Sequence, residues 1–521
     1  MGDLNYPRRD ESNAAAGRAG RVRNLRGSDP TVRDAYRHPR PRRRPRAPES
    51  RPVGPRREWR SPNIARDGVP TARGLVHSIL PVTVERRTRM PGDRSVDPRA
   101  PFRQLLSMER DVLVLSAAMF AFSLGFQMTS RYVPRYMSVL GAGAGVIGLY
   151  GSLGNLVSAV YPYPGGAVSD RLGSRRALTA FGLVSALGFL FWLLAPRLDV
   201  LRVGPLAVPP WAWIFVGLFL TQAWKSFGLG ATFAVVKQSV PSDELAAGFA
   251  STETFRRVGF LVGPLLASVL IASAGDFTLG FQWVLAAAVA FAVAGTAVQH
   301  VYYDPAGDSI GDEFEGVRQV LDDLRGLPAE LRPLLVADVL VRFANGMAYV
   351  FFVIVVTEFL GVGFTGFGVS LSPDAFFGVL LAVEMLVALL SMLPVSRLAE
   401  RVGLKPVIAV GFAVYAAFPV LLVNAPADQW ALVALFAFSG LRFAGLPAHK
   451  AMIVGPAEKE AGGRVTGTYY LVRNAVGIPS TAVGGAIYAF SPTLSFTLAT
   501  VVGLLGTGYY LAFGREFAAY A

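Results

Sequence analysis

Four charged side chains stand inside long apolar runs of this chain: Lys225, Arg342, Glu384 and Arg442. At about 1.5 Å of rise per residue, each falls in roughly the middle half of a ~30 Å hydrocarbon layer. Charge at that depth is costly and survives where it faces water or a partner. Such groups can hold a charged solute, exchange a proton or tie two helices together. Burial disfavours the charged form of a carboxylate, so Glu384 is the candidate for reversible protonation, with a static ion pair to an arginine as the alternative. Asp338, Arg342, Asn345 and Tyr349 recur at i, i+4, i+7 and i+11, one stripe of a helix. Ser123, Gln127 and Arg131 form a similar stripe. Lys225 and Arg442 each precede a glycine by three residues, Gly228 and Gly445, which suggests a repeat.

Other chemistry finds little support. The chain has no cysteine, so thiolate ligands and disulfides are excluded. Its histidines, His38, His77, His300 and His449, are far apart. We therefore expect no metal and no cofactor. The glycine-rich stretches lie in apolar runs rather than in a nucleotide-binding turn, and no nucleophile constellation is visible, so an enzyme is not expected.

The elements that must position these groups are membrane helices. Of 521 residues, 52% are hydrophobic and 17% charged, with mean hydropathy +0.43, too apolar for an ordinary soluble protein. Apolar runs predict twelve spans near 111–135, 144–168, 177–196, 211–237, 251–273, 278–301, 333–359, 374–396, 406–425, 430–453, 465–489 and 492–514. The fold class is all-α integral membrane. Basic residues gather in alternate loops, including Arg171, Arg175, Arg176, Arg397, Arg401 and Lys405, which places those loops and both termini in the cytoplasm. Residues 303–332 read as a cytoplasmic linker with an amphipathic helix, dividing a six-helix bundle at 108–302 from a second at 333–521.

The net charge of +14 belongs entirely to residues 1–107, which hold 25 Arg and 11 acidic groups. This Arg/Pro-rich tail is expected to be disordered. It could be a solvated extension, a segment held near anionic lipid or an arm for nucleic acid. It could also be untranslated, with Met90 or Met108 as the start.

Two short loops repeat. Gly166, Asp170, Arg171, Gly173, Arg175 and Arg176 follow Gly-x-x-x-Asp-Arg-x-Gly-x-Arg-Arg, and 230 residues later Glu400, Arg401, Gly403 and Lys405 give a degenerate copy in which Ser396 replaces the first glycine. The full spacing resembles the loop between the second and third helices of the major facilitator superfamily. By that resemblance Asp170, Arg171 and Arg175 would latch one conformation of two six-helix bundles, with Glu400, Arg401 and Lys405 as a weaker counterpart. In the fifth span Gly259, Gly263 and Pro264 resemble the family's antiporter motif, Gly-x-x-x-Gly-Pro-x-x-Gly-Gly, although Ala267 and Ser268 replace its last two glycines. Lys225 falls where the family often has the arginine of a proton-coupling motif, here lacking the Gln and one residue of spacing. The resemblance further implies a cavity lined by spans one, four, seven and ten, where Gln127, Arg131, Lys225, Asp338, Arg342, Asn345 and Arg442 lie. Glu253, Arg256, Arg257 and Arg473, placed comparably in spans five and eleven, suit an intracellular gate.

The expected function is therefore secondary transport of a small solute by alternating access, as a monomeric, proton-linked exporter in the cell membrane. Uptake or exchange of an organic anion is the alternative, motivated by Lys225, Arg342 and Arg442 converging on one cavity. A third reading is a non-transporting anchor or sensor presenting its basic tail to nucleic acid or lipid, with nucleic acid the less expected partner.

Overall fold

The computed structural model describes residues 110–161, 172–198, 202–203, 206–225, 245–303, 328–454 and 462–516. The basic tail, the motif residues Gly166, Asp170 and Arg171, and most of the linker with its expected amphipathic helix lie outside the described residues.

Helices α1 (Arg110–Thr129) and α2 (Val133–Val139) make the first span, α3 (Ala144–Val160) the second, α4 (Ser174–Leu194) the third, α5 (Ala212–Ala223) the fourth, α6 (Leu245–Ala274) the fifth and α7 (Phe277–Tyr302) the sixth. In the second half α8 (Leu331–Tyr349), continued by Phe352–Phe359, makes the seventh. The eighth is α9 (Pro373–Val402) and the ninth α10 (Leu404–Val423); the tenth joins α11 (Gln429–Gly440) to α12 (Leu446–Val454). The eleventh joins α13 (Gly462–Gly477) to α14 (Ser480–Phe490), and α15 (Pro492–Phe513) closes the fold. Among the described residues seven spans are long and apolar enough to cross a bilayer unaided, and two bent pairs, the first and seventh spans, bring this to nine. The described parts of the second and fourth spans are shorter, and the eleventh is broken before Ser480. The described helices fit the expected pattern of spans in two pseudo-symmetric bundles, with seven to nine of the twelve spans complete among the described residues. The first and seventh spans bend alike, by 40° and 44°.

Side-chain caps set several boundaries. Asp276, Ser372, Asp428 and Ser491 each accept the backbone N–H three residues on, satisfying an orphan donor at the start of α7, α9, α11 and α15. The sequence did not announce one feature between spans seven and eight, an antiparallel ribbon of β1 (Phe364–Gly366) and β2 (Val369–Leu371). Its turn residues Phe367 and Gly368 have φ of 52° and 76°, the two positive values that a tight I′ hairpin turn needs.

The repeated loops share a backbone. Gly173 (φ 78°, ψ 147°) opens α4 and Gly403 (φ 91°, ψ 168°) opens α10, 230 residues apart, in a conformation side chains resist. Arg175 Nε donates to the His300 carbonyl at 2.6 Å, tying the third span to the end of the sixth. In the second half the corresponding tie has reversed polarity: the Glu516 carboxylate accepts from Leu404 N at 2.6 Å and Lys405 N at 3.0 Å.

Each half packs around its own helices, α1 against α6 and α7 in the first, α15 against α8 and α10 in the second. The halves meet along two seams, α3 with α14 and α6 with α9. On the first seam a Cβ at Gly148 would lie 2.8 Å from Gly485 Cα, so only glycine allows this approach. Ser152 Oγ accepts from Ala482 N at 2.9 Å beside it. On the second seam Ser268 Oγ donates to the Ala375 carbonyl at 2.7 Å.

Candidate functional site

The helical stripe read in the seventh span opens on a small cavity of about 40 Å³ in the second half. Asp338, Arg342 and Asn345 line one wall and Phe412 and Tyr415 of α10 another; Arg442, His449 and Arg473 also border it, with apolar residues such as Val341, Ile408 and Leu446 between them. Tyr349, one turn beyond, carries the Arg131 guanidinium of the first span 4.1 Å from its ring centroid, a cation–π contact between the halves.

Glu384 and Arg442 form a buried ion pair, their side chains 3% and 1% exposed. The same carboxylate oxygen accepts from Ser439 Oγ at 2.6 Å. Arg442 sits in a 3₁₀ turn between α11 and α12, ringed by Phe443 at 4.7 Å, Tyr415 at 5.0 Å, Phe418 at 5.7 Å and Phe352 at 5.9 Å. Glu384 therefore stands behind Arg442, where it neutralises a cation that the aromatic box only partly stabilises.

A second buried cluster forms around Asp338. Its Oδ2 lies 2.7 Å from Arg473 Nε and 3.2 Å from His449 Nε2, and it accepts from Tyr469 OH at 3.1 Å. These groups come from α8, α12 and α13. Arg473, expected at a gate, thus pairs inside the second half. His449 and Tyr469 were not singled out from the sequence, because a lone histidine on an apolar helix shows no partner until helices are registered.

Lys225 ends the described part of the fourth span and is exposed, as Arg342 is. Neither Lys225 nor Arg342 makes an ion pair among the described residues.

At one end of the molecule the halves are held by charge. Arg135 Nε lies 2.9 Å from Asp374 Oδ1, and its other guanidinium arm reaches Glu358. Ser138 Oγ donates to Glu358 at 2.7 Å, and Tyr132 OH to the Asp374 carbonyl at 3.1 Å. Arg135 lies on α2, and nothing in the sequence pointed to its partners in the second half.

The remaining predicted residues fall as follows. Gly259 and Gly263 pack the fifth span on the first: an added Cβ would come within 2.9 Å of Ser123 Cβ and 2.8 Å of Gln127 Cβ respectively. Ser123 and Gln127 thus meet the fifth span, and Ser123 Oγ donates to the Arg256 carbonyl at 2.9 Å. The Pro264 carbonyl faces Gly378 of the eighth span. Arg256 lies 5.2 Å from the Phe260 ring and Arg257 NH1 3.1 Å from Met392 Sδ. Arg176, Glu400 and Arg401 are exposed at the loop ends, and the Glu253 side chain lies outside the described residues.

The sequence profile described as Major Facilitator Superfamily matches residues 36–204, 115–373 and 334–518. The chain belongs to the major facilitator superfamily. This superfamily member is a multi-pass membrane transporter, and it is 21% identical over 413 residues to an uncharacterized MFS-type transporter of Methanocaldococcus jannaschii, covering 78% of this chain and 95% of that one. Its fold is similar to the crystal structure of the nucleoside transporter NupG, with TM-score 0.59 and 13% identity over 78% of this chain and 99% of the other. It is equally similar to a POT family transporter in complex with 5-aminolevulinic acid, with TM-score 0.59 and 13% identity over 79% and 99%.

Proposed function

We propose that this transporter works by alternating access, that the structure is its inward-open state, and that it links solute movement to protons. The loops carrying Gly173 and Gly403 belong to the basic, cytoplasmic set, so the Arg135 end is external. The single observation that carries the reading is the pairing of Arg135 with Asp374 and Glu358 across the two halves at that end. A charge cluster joining two rigid bundles can break as a unit, which is how a central site trades one opening for the other.

Proton linkage is supported by the Asp338–His449 pair, two groups able to carry a proton that line the same cavity. Gly259, Gly263 and Pro264 resemble an antiporter motif, which favours exchange and hence export. The experiment is flux in proteoliposomes under an imposed pH gradient with cationic, neutral and anionic solutes. The reading expects gradient-driven movement that His449→Gln uncouples. Flux no faster than in protein-free vesicles, or flux indifferent to the gradient, would overturn it.

A further inference from the structure

From Phe359 to Pro373, between the seventh and eighth spans, the sequence holds no charged residue, where a solvated loop would be polar. The β1–β2 ribbon folds out of this stretch, and at its turn stands Phe367, 90% exposed with a φ of 52°. It is the one non-glycine with positive φ among the described residues. A turn of this kind favours Asn, Asp or Gly there, so the phenylalanine strains the backbone and, in water, exposes an apolar ring as well. The second penalty disappears if the ring is not in water. That ring ends an aromatic ladder that starts in the core. Phe376 of α9 is fully buried; Phe364 lies 5.5 Å from it, Trp430 lies 5.7 Å from Phe364, and Phe367 lies 6.4 Å from both Phe364 and Trp430. Exposure rises along the ladder, reaching 52% at Trp430. Gln429, at the start of α11, pins the ribbon: its Oε1 accepts from Thr365 N at 2.8 Å and its Nε2 donates to the Thr365 carbonyl at 3.0 Å.

We infer that the ribbon is an interfacial anchor, with the Phe367 and Trp430 rings seated among the lipid headgroups where the seventh, eighth and tenth spans leave the bilayer. Its partner is the phospholipid surface itself, recognised by burial of aromatic and apolar side chains, since the segment offers no charge. Val369 of β2 and Phe359 at the end of the seventh span, each about half exposed, continue the same apolar surface toward the spans. The anchor requires only that the chain crosses a membrane and is independent of the transport reading. Its position gives it a consequence for the closure described above. Glu358 directly precedes the uncharged stretch, Asp374 directly follows Pro373, and both pair with Arg135. A ribbon fixed in the headgroup layer therefore holds both acidic partners at a set depth, and Arg135 of the first half is the member that moves away.

The test uses the full chain in nanodiscs of neutral phosphatidylcholine, with a spin label on Ser370→Cys of β2 and its collisions with oxygen and with a water-soluble nickel chelate as the readouts. The chain has no cysteine of its own, so the label is single. A label on Ala427→Cys, exposed beside Asp428 in the loop before α11, is the solvated reference. The ribbon label should meet less nickel and more oxygen than the reference. Phe367→Gly keeps the turn, because glycine accepts the positive φ, and removes the ring. It should unfold in detergent no lower than the native chain, yet in nanodiscs shift the tip about tenfold or more toward water, raising nickel collisions at the ribbon label. Phe367→Trp should keep the native depth. Nickel access at the native ribbon equal to the reference would overturn the proposal and leave the rings to water or a protein partner. A depth unchanged by Phe367→Gly would overturn it equally.

Discussion

Replacing Arg135 tests the outer closure. Its Nε contact with Asp374 joins side chains 18% and 11% exposed, whereas Glu358 is 36% exposed. The Glu358 contact is thus a surface pair of small value. The Asp374 contact is partly desolvated, and truncating one partner of such a pair costs about 2–3 kcal/mol, the lower part of the range for buried charge pairs. If that energy acts only in the closed form, Arg135→Gln raises the population open at this end by a factor of about 30–150. The chain has no cysteine, so a single reporter can be introduced without background. Ser268→Cys, 4% exposed beside this seam, should react with a membrane-impermeant maleimide about 30-fold faster or more in the Arg135→Gln chain. Adding Asp374→Asn should raise the rate little further, because the two changes remove one interaction. An unchanged rate in a folded Arg135→Gln protein would refute the reasoning.

Three further outcomes follow from the packing. Glu384→Leu leaves Arg442 without its carboxylate and should destabilise the protein by about 3–5 kcal/mol in thermal or denaturant unfolding, while Glu384→Leu with Arg442→Met recovers most of it. Gly403→Ala meets both a φ of 91° and the Glu516 carboxylate carbon 2.8 Å from the new Cβ, so it should cost about 1–2 kcal/mol or more. Glu516→Gln should cost less, because it keeps an acceptor at the start of α10. Gly148→Val pushes against Gly485 and should speed labelling of Ser268→Cys as Arg135→Gln does, without touching a charge.

Much of the architecture was legible because bilayer thickness dictates run length, and Asp276, Ser372, Asp428 and Ser491 mark helix starts within a residue or two of where the apolar runs begin. Gly403 was legible through its spacing from Gly173, and both proved to share one backbone conformation. The stripe Asp338, Arg342, Asn345 was legible because helical period alone puts those residues on one wall. What could not be read is registration between helices. Asp338 has its partners on the tenth and eleventh spans, Arg135 has its own on the seventh and eighth, and no periodicity within one span reveals a neighbour more than 100 residues away. The ribbon after the seventh span was hidden for a local reason: Phe367 holds a positive φ that its side chain does not advertise.

The central claim is that the two ends move reciprocally. Spin labels at Val139 and Ser370 report the outer end, and labels at Arg176 and Arg401 the inner end, with pulsed electron resonance giving both distances in lipid. In the Arg135→Gln chain, compared with the native one, we expect the inner distance to shorten as the outer one lengthens. Two distances that stay fixed, or change in the same sense, would contradict alternating access in this protein.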